Sequence, residues 1–206
     1  MVSDVIFYTN PMSRGRIARW MLEEVGEPYD VRLVDWADKP DDFVAANPMA
    51  KVPTIIHNGR VVTECAAIIA YLADTFPAAG LAPTDEERAD YYRWMFFAAG
   101  PIEAATTNRS LGVTPTDEQK GMVGYGDLDR VVSTLQGAVM AHEYIAGDRF
   151  TAADVYVGSH ISWGIQFGAL PKCDAFEAYL AKVMGRDAAV RAAALDDALI
   201  AAAKGE

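Results

Sequence analysis

The first 76 residues alternate between short apolar runs and apolar positions at helical spacing. Residues 5–9 (VIFYT) predict a short buried strand, closed by the turn-forming pair Asn10-Pro11. Apolar residues then recur at helical spacing over about residues 14–25, and Gly26 is suited to end that helix. Residues 29–34 (YDVRLV) alternate apolar and polar positions, as a second strand does. A strand, a helix and a strand in this order predict a parallel pair with a crossover helix.

The next segment predicts a second half with a different arrangement. Residues 35–51 are polar and contain prolines, which indicates a loop with a short helix. Residues 52–64 give two strands joined through Asn58-Gly59, the strongest short hairpin signal. A clear helix follows over residues 65–76. We therefore predict an α/β unit over residues 1–76, built as βαβ and then ββα.

The rest of the chain shows helical patterns and no convincing strand. Residues 77–84 contain two prolines and one glycine, which is typical of a linker. Residues 85–206 begin with acidic residues, as a first helical turn prefers, and continue with an aromatic-rich stripe. The predicted fold class is an α/β N-terminal domain followed by an all-α C-terminal domain.

Composition and charge exclude several classes of partner. The chain has 206 residues, of which 51% are hydrophobic and 23% charged, and its net charge is −11. That acidity disfavours a nucleic-acid partner, because such binding needs a basic face. No signal peptide and no apolar run long enough for a membrane span is visible. The two cysteines, Cys65 and Cys173, have neither metal-ligand spacing nor a disulfide framework. We expect a cytoplasmic protein without a bound metal.

Residues 51–55 (KVPTI) carry the first candidate chemistry. Pro53 lies at the entrance to a strand, where no ladder hydrogen bond from its nitrogen is needed. A trans Val52–Pro53 bond would simply begin an edge strand, and this is the commoner form. A cis bond would turn the Val52 backbone outwards, free to pair with an extended peptide ligand. The pattern alone favours the trans form.

The second candidate is the start of the helix over residues 65–76. Glu64 and Cys65 lie at its N-terminus, where free N–H groups and the helix dipole form an anion site. A ligand carboxylate can bind there, while Glu64 can pair with a ligand ammonium group. The alternative is that these residues only cap the helix.

Together these motifs resemble the glutathione-binding domain of the cytosolic glutathione S-transferases, which is thioredoxin-like. The family pattern has a cis proline after the valine and a Glu-Ser pair at the helix start. The later FTAADVYVG is similar to the family's buried N-capping box, with Thr151 and Asp154 at the required spacing. The resemblance covers nearly the whole chain. It implies a glutathione-binding domain over residues 1–76, a linker over 77–84, and a helical domain over 85–206 that contributes a hydrophobic substrate site.

Carried onto this chain, the resemblance implies a set of glutathione contacts. Val52, before Pro53, pairs antiparallel with the cysteinyl part of glutathione. Glu64 holds the γ-glutamyl ammonium and Cys65 the γ-glutamyl carboxylate.

Two features of this set depart from the family or stay open. Cys65 replaces the usual Ser or Thr, and because a thiol is a weaker hydrogen bonder, more of the carboxylate binding passes to the backbone N–H. Lys51 and Lys39 are candidates for the glycyl carboxylate, with ordinary surface charge as the alternative.

Activation of the thiol is expected at the turn before the first helix. The sequence SRGRIARWMLEE resembles the opening of many bacterial and fungal members, which makes Ser13 the thiol-orienting hydroxyl. A competing alignment with the tyrosine-type classes points to Asn10, while Tyr8 lies too early in the strand. Arg14 is the expected cation beside the thiolate. We take Ser13 as the donor and Asn10 as the second candidate. The alternative is that Ser13 only caps the helix.

The electrophile is expected between the two domains, against aromatic side chains of the helical part. His160 is expected to be a packed residue and not a base. Family members are usually homodimers, and the aromatic-rich first helix after the linker fits a helix that serves both a core and an interface. The candidate hydrophobic substrate residues are Tyr92, Phe96, Phe97, Trp163 and Phe167.

The predicted activity is conjugation of the glutathione thiolate to electrophilic small molecules, in the manner of a detoxification enzyme. Glutathione is the co-substrate, and no metal is expected. Two alternatives remain: a glutathione-dependent peroxidase or disulfide reductase, and a non-catalytic interaction module on the same fold. A pure scaffold has no need of a glutathione pocket, so the retained motifs argue against the module.

Overall fold

The computed structural model describes residues 4–205. The strands and helices of its N-terminal part are β1 (Val5–Thr9), α1 (Gly15–Val25), β2 (Asp30–Leu33), α2 (Asp41–Ala46), β3 (Thr54–His57), β4 (Arg60–Val62) and α3 (Cys65–Thr75). The strands form a four-stranded mixed sheet in the order β2-β1-β3-β4, with β1 parallel to β2 and antiparallel to β3. The predicted α/β fold class, βαβ and then ββα, is confirmed.

The predicted turn signals act where they were expected. Gly26 ends α1 in the left-handed conformation, with a φ of 78° that costs a glycine nothing. Asn58 and Gly59 both have positive φ and join β3 to β4 as a tight hairpin. Each device acts through neighbouring residues only, so the sequence was sufficient to locate these element ends.

The sheet is covered by two apolar layers. Helices α1 and α3 pack against each other and against the sheet, and they bury their apolar faces there. A second cluster consists of Tyr8, Val34 and Phe43, and the partly buried Val52 packs against it. The side chain of Tyr8 donates to Asp42 at 2.8 Å and its ring lies 5.3 Å from that of Phe43. Tyr8 is therefore a packed strand aromatic.

After β4 the described chain is helical apart from one isolated bridge between Tyr144 and Gly147. The helices are α4 (Arg88–Phe97), α5 (Glu103–Ser110), α6 (Leu128–Ala141), α7 (Ala152–Gln166), α8 (Asp174–Val183) and α9 (Asp187–Lys204). A π-helical segment, Ala98–Ile102, separates α4 from α5 and contains Pro101, which lacks the N–H that a regular helix needs there. Among the described residues, no helix is long and apolar enough to cross a membrane.

The described residues divide into two compact units. One consists of residues 4–81 together with 186–205, and the other of residues 82–185. The predicted change at residues 77–84 lies next to this division, but α9 packs on α1 and so joins the first unit. The sequence alone gave no sign of this, because α9 follows α8 directly in a continuous helical pattern. The domain limits 1–76 and 85–206 stay a prediction.

The second unit is built around α7, whose N-terminus carries the predicted capping box of Thr151 and Asp154. The Asp154 carboxylate accepts from the Thr151 N–H at 2.8 Å, the Thr151 hydroxyl at 3.1 Å, the Ile145 N–H at 2.8 Å and the Tyr179 hydroxyl at 2.8 Å. Burial raises the pKa of Asp154 above its ordinary value, while these four donors oppose the shift. The resemblance therefore located a buried polar anchor of this unit correctly.

Candidate functional site

The turn between β1 and α1 is fixed by close packing at its base. A Cβ atom at Gly15 would lie 2.0 Å from the Thr9 hydroxyl oxygen, a distance that no side chain tolerates. Glycine therefore allows α1 to start directly against the end of β1. The result is a tight segment of five residues between Thr9 and Gly15, and it carries all three of the expected thiol-activating side chains.

The polar side chains of this turn hold the turn itself. Asn10 donates from Nδ2 to the Val34 carbonyl at 3.0 Å and accepts from the Met12 N–H at 2.9 Å. The Ser13 hydroxyl donates to the Asn10 carbonyl at 2.6 Å and accepts from the Gly15 N–H at 3.0 Å. The single Ser13 proton is thus directed at a backbone oxygen. Asn10 has a second amide proton that has no acceptor among residues 4–205.

The Val52–Pro53 bond is cis, and the trans form that the pattern alone favoured is wrong. The Val52 side chain packs inwards against the Tyr8, Val34 and Phe43 cluster. Within the described part of the chain, neither the N–H nor the carbonyl of Val52 makes a hydrogen bond. A main-chain donor and acceptor are therefore left available beside β3, as an extended peptide ligand requires.

The loop before the cis bond is held by two residues that the sequence analysis missed. Asn47 is buried and donates from Nδ2 to the Lys51 carbonyl at 2.8 Å and to the Thr54 hydroxyl at 3.0 Å. Thr54 donates in turn to the same Lys51 carbonyl at 3.1 Å. These bonds fix the backbone immediately before Val52. The only sequence signal for this was the turn-forming pair Asn47-Pro48.

The start of α3 adjoins the turn before α1. Glu64 has φ +64° and ψ 118°, a region that residues other than glycine rarely occupy, and its exposed side chain makes no capping hydrogen bond. Such backbone strain concentrates at functional sites. The Cys65 Sγ atom lies 3.8 Å from the Arg14 carbonyl oxygen, so two of the three predicted motifs are in contact.

The two candidate lysines differ in their exposure. Lys39 is half-buried and Lys51 is exposed, and neither forms an ion pair with another described residue. No hydrogen bond or ion pair joins Lys39 to the α1 turn or to the start of α3 within residues 4–205. Their assignment to a carboxylate therefore stays a prediction. Among the same residues, no group of His, Cys, Asp and Glu side chains could hold a metal ion.

The aromatic candidates lie on α4 and at the C-terminal half of α7. Tyr92 and Phe96 are exposed on α4 with ring centroids 6.5 Å apart, and Phe167 is exposed after the end of α7. Phe97 and Trp163 are partly buried. His160, which also lies on α7, is buried with its ring 4.6 Å from that of Tyr156, as a packed residue.

Comparisons with known proteins agree with the motifs. The family model for the glutathione S-transferase N-terminal domain matches residues 12–75. A glutathione S-transferase of Xanthomonas campestris pv. campestris is 30% identical over 182 residues, which is 82% of this chain and 89% of that protein. A glutathione S-transferase of Escherichia coli O157:H7 is 31% identical over 149 residues, which is 69% of this chain and 73% of that protein.

Solved structures give the same answer. A glutathione transferase of Methylococcus capsulatus is 25% identical with a TM-score of 0.75, and the match covers 94% of this chain and 98% of that one. A sphingomonad glutathione S-transferase complexed with glutathione is 26% identical with a TM-score of 0.73, covering 93% and 98%. Sequence and fold similarity thus extend over most of both chains, and the chain belongs to the glutathione S-transferase family.

Proposed function

We propose that this protein is a glutathione transferase, which joins the sulfur of glutathione to electrophilic small molecules. The observation that carries the proposal is the unbonded Val52 main chain, in the same compact unit as a helix start that contacts the α1 turn. Such a unit suits a tripeptide with an amino-acid head group. The tripeptide needs a main chain to pair with, a site that binds its charged end, and a group that faces its thiol.

In the proposed complex, Val52 pairs through its N–H and carbonyl with the cysteinyl part of glutathione. Glu64 binds the γ-glutamyl ammonium group. The first N–H groups of α3 bind the γ-glutamyl carboxylate, since a helix N-terminus favours an anion and the Cys65 thiol is only a weak hydrogen bonder. Lys51, or Lys39, is the partner of the glycyl carboxylate.

The thiol is activated at the α1 turn. The Ser13 hydroxyl rotates its proton from the Asn10 carbonyl to the glutathione sulfur while it still accepts from the Gly15 N–H. A hydrogen bond to a charged group contributes about 1.5–3 kcal/mol, against about 0.5–1.5 kcal/mol for a neutral one, so the rotation favours the thiolate. Arg14 and the N-terminus of α1 lower the thiol pKa further. The thiol proton passes to solvent, and the thiolate forms the new carbon–sulfur bond with its electron pair. With a chloronitrobenzene the carbon–chlorine bond breaks in turn, and chloride leaves with the electrons of that bond.

The electrophile is proposed to bind the aromatic side chains Tyr92, Phe96, Phe97, Trp163 and Phe167. Apolar and aromatic walls suit hydrophobic electrophiles, which fits a role in detoxification. Cys65 and Cys173 form no disulfide with each other, which fits a reducing compartment, and we propose a cytoplasmic location. The exposed aromatic rings on α4 support a homodimer.

The proposal is tested by retention on immobilised glutathione and by conjugation of a chloronitrobenzene. Glu64→Gln is expected to weaken glutathione binding about ten- to a hundredfold, because it removes one charged hydrogen bond. Asp74→Asn makes the same change at an exposed position later in α3 and is expected to bind normally.

Parallel assays with an organic peroxide and a mixed disulfide separate the related activities. Retention with turnover of only these two substrates would replace the transferase by a peroxidase or reductase. A wild-type protein that is not retained and converts none of the three substrates would be a non-catalytic module, and the proposal would be wrong.

A further inference from the structure

Helix α9 and its N-cap residue, Arg186, are joined to α1 by a row of ion pairs within the first compact unit. Each pair combines an arginine with an aspartate or glutamate, and the row extends along most of α1. Because α1 begins at the Ser13 turn, the row connects the far end of the chain to the proposed thiol-activating segment. The pairs are Arg16–Asp197 (2.8 Å), Arg19–Asp196 (2.8 Å), Arg186–Glu24 (2.7 Å) and Arg191–Glu23 (3.2 Å).

Arg16 contacts the turn directly. Its backbone N–H donates to the Ser13 carbonyl at 3.1 Å, and its guanidinium Nη1 is 3.5 Å from the Pro11 carbonyl oxygen. The other guanidinium nitrogen, Nη2, donates to Asp197. Arg16 therefore contacts two carbonyls of the turn, that of Ser13 by a backbone hydrogen bond and that of Pro11 by a longer side-chain contact, and a carboxylate of α9 orients this side chain.

The neighbouring pair fixes which residue of α9 lies opposite Arg16. The side chains of Arg19 and Asp196 are only 3% and 1% exposed. Arg19 Nη2 and Asp196 Oδ2 have no hydrogen-bond partner in the described chain, so the pair is not satisfied well enough to be a strong source of stability. A buried pair of this kind instead penalises any other register, since a shift of α9 along α1 would leave both charges buried and apart.

We propose that α9 positions the Ser13 turn, with Asp197 orienting Arg16 and Arg16 holding the Pro11 and Ser13 carbonyls so that the Ser13 hydroxyl faces the glutathione sulfur. This inference rests on the proposed function. Arg16 and Asp197 are positioning residues, since neither is proposed to touch glutathione. The relevant geometry is demanding, because a misplacement of about 1 Å can cost about a hundredfold in rate.

Asp197 is the better position for a test. The Asp197 side chain is 66% exposed and that of its partner Arg16 is 25% exposed, so removal of the carboxylate leaves the Arg16 charge in contact with water. A solvent-accessible ion pair of this kind contributes only about 0–1 kcal/mol to stability. Asp197→Ala should therefore fold and unfold almost as the wild type does. Arg191→Ala is the matched control, because it also removes the more exposed member of a pair between the same helices, next to the C-terminal end of α1; the Arg191 side chain is 55% exposed and that of Glu23 16%.

The first measurement is amide hydrogen exchange in the protein without glutathione. Asp197→Ala is expected to speed exchange at Gly15 and Arg16, whose N–H groups bond within the turn, while Arg191→Ala leaves them unchanged. Equal acceleration by both variants, or by neither, would overturn the positioning role. This measurement does not depend on the proposed activity.

The second measurement is the thiolate absorbance of bound glutathione against pH. Asp197→Ala is expected to raise the thiol pKa by up to about 1 and to lower kcat/KM by about tenfold, with little change in KM for glutathione. A lower thiol pKa would mean that Asp197 acts by its charge on Arg16, and would overturn the proposal. If the wild type shows no thiolate band, the proposed function has failed, whereas a normal wild type with an unaltered Asp197→Ala profile overturns only the positioning role.

The charge exchange Arg16→Asp with Asp197→Arg separates the ion pair from the turn contact. It can restore an attraction between the helices, but a carboxylate at position 16 cannot donate to the Pro11 carbonyl. We expect the thermal stability to return to that of the wild type and the thiolate fraction of bound glutathione to stay below the wild-type value. Recovery of the wild-type thiolate fraction would show that the pair alone is sufficient, and the contact with Pro11 would then have no role.

Discussion

Ser13 has a single hydroxyl proton, and its direction decides whether the residue is a cap or a catalytic donor. In the structure the proton is given to the Asn10 carbonyl at 2.6 Å. We expect Ser13→Ala to lower kcat/KM about ten- to a thousandfold, the range for the loss of one donor to a developing or fixed negative charge. Retention on immobilised glutathione should persist, because Val52 and Glu64 are unchanged. Steady-state kinetics together with retention measure both effects.

The control for this prediction is Asn10→Ala, and its activity must be measured together with its thermal stability. The Asn10 side chain joins the turn to Val34 at the end of β2, so its removal can act through stability. If Ser13→Ala keeps full activity while an Asn10→Ala protein of normal stability loses it, the residue that donates to the glutathione sulfur is Asn10 and not Ser13. The second amide proton of Asn10 makes that outcome chemically possible.

At the scale of elements, the sequence predicted what neighbouring residues decide. The strand over residues 5–9, the α1 helix and the hairpin at Asn58-Gly59 depend on apolar spacing and on local backbone preferences. The resemblance added the capping box at Thr151 and Asp154, which also acts within one helical turn. Local signals were sufficient for the architecture of both parts of the chain.

Features that depend on distant residues were not predictable. The cis form of Val52–Pro53 is a minority state that no pattern within KVPTI selects; only the resemblance pointed to it. Arg19 and Asp196 are 177 residues apart in the chain, and each is a charged residue of the kind that usually lies on the surface. The positive φ of Glu64 likewise depends on its surroundings. The site was therefore predicted as a set of motifs, but their contact at Cys65 and Arg14 was not.

The capping box gives a stability prediction for α7. We expect Asp154→Ala to lower the free energy of unfolding by about 3 kcal/mol or more, because it leaves four buried donors without their acceptor. Asp127→Ala is the matched control: Asp127 caps α6 by accepting only from the Arg130 N–H, and its loss should cost about 1 kcal/mol. Denaturant unfolding measures both. Equal costs would show that the buried network adds nothing to an ordinary cap.

At the scale of the whole molecule, the apolar surface and the charge act against each other. A chain with net charge −11 repels its own copies, so self-association needs a local attraction strong enough to overcome that repulsion. Helix α4 offers one, since Tyr92 and Phe96 are 42% and 69% exposed and lie next to each other. Aromatic rings are the side chains that most often anchor protein interfaces. Added salt should strengthen such an association by screening the repulsion.

The proposed homodimer is therefore tested at Phe96. Phe96→Glu is expected to shift the protein from dimer to monomer at micromolar concentration, because it places a carboxylate among aromatic rings that the interface would bury. Phe167→Glu is the matched control, since Phe167 is 73% exposed but lies after α7, away from the α4 stripe in sequence. Sedimentation equilibrium at low and high salt gives the mass of each variant. If the Phe96→Glu protein remains dimeric, or if the wild type is monomeric at both salt concentrations, α4 does not form a dimer interface. The proposed role of Phe96 would then be limited to binding the electrophile.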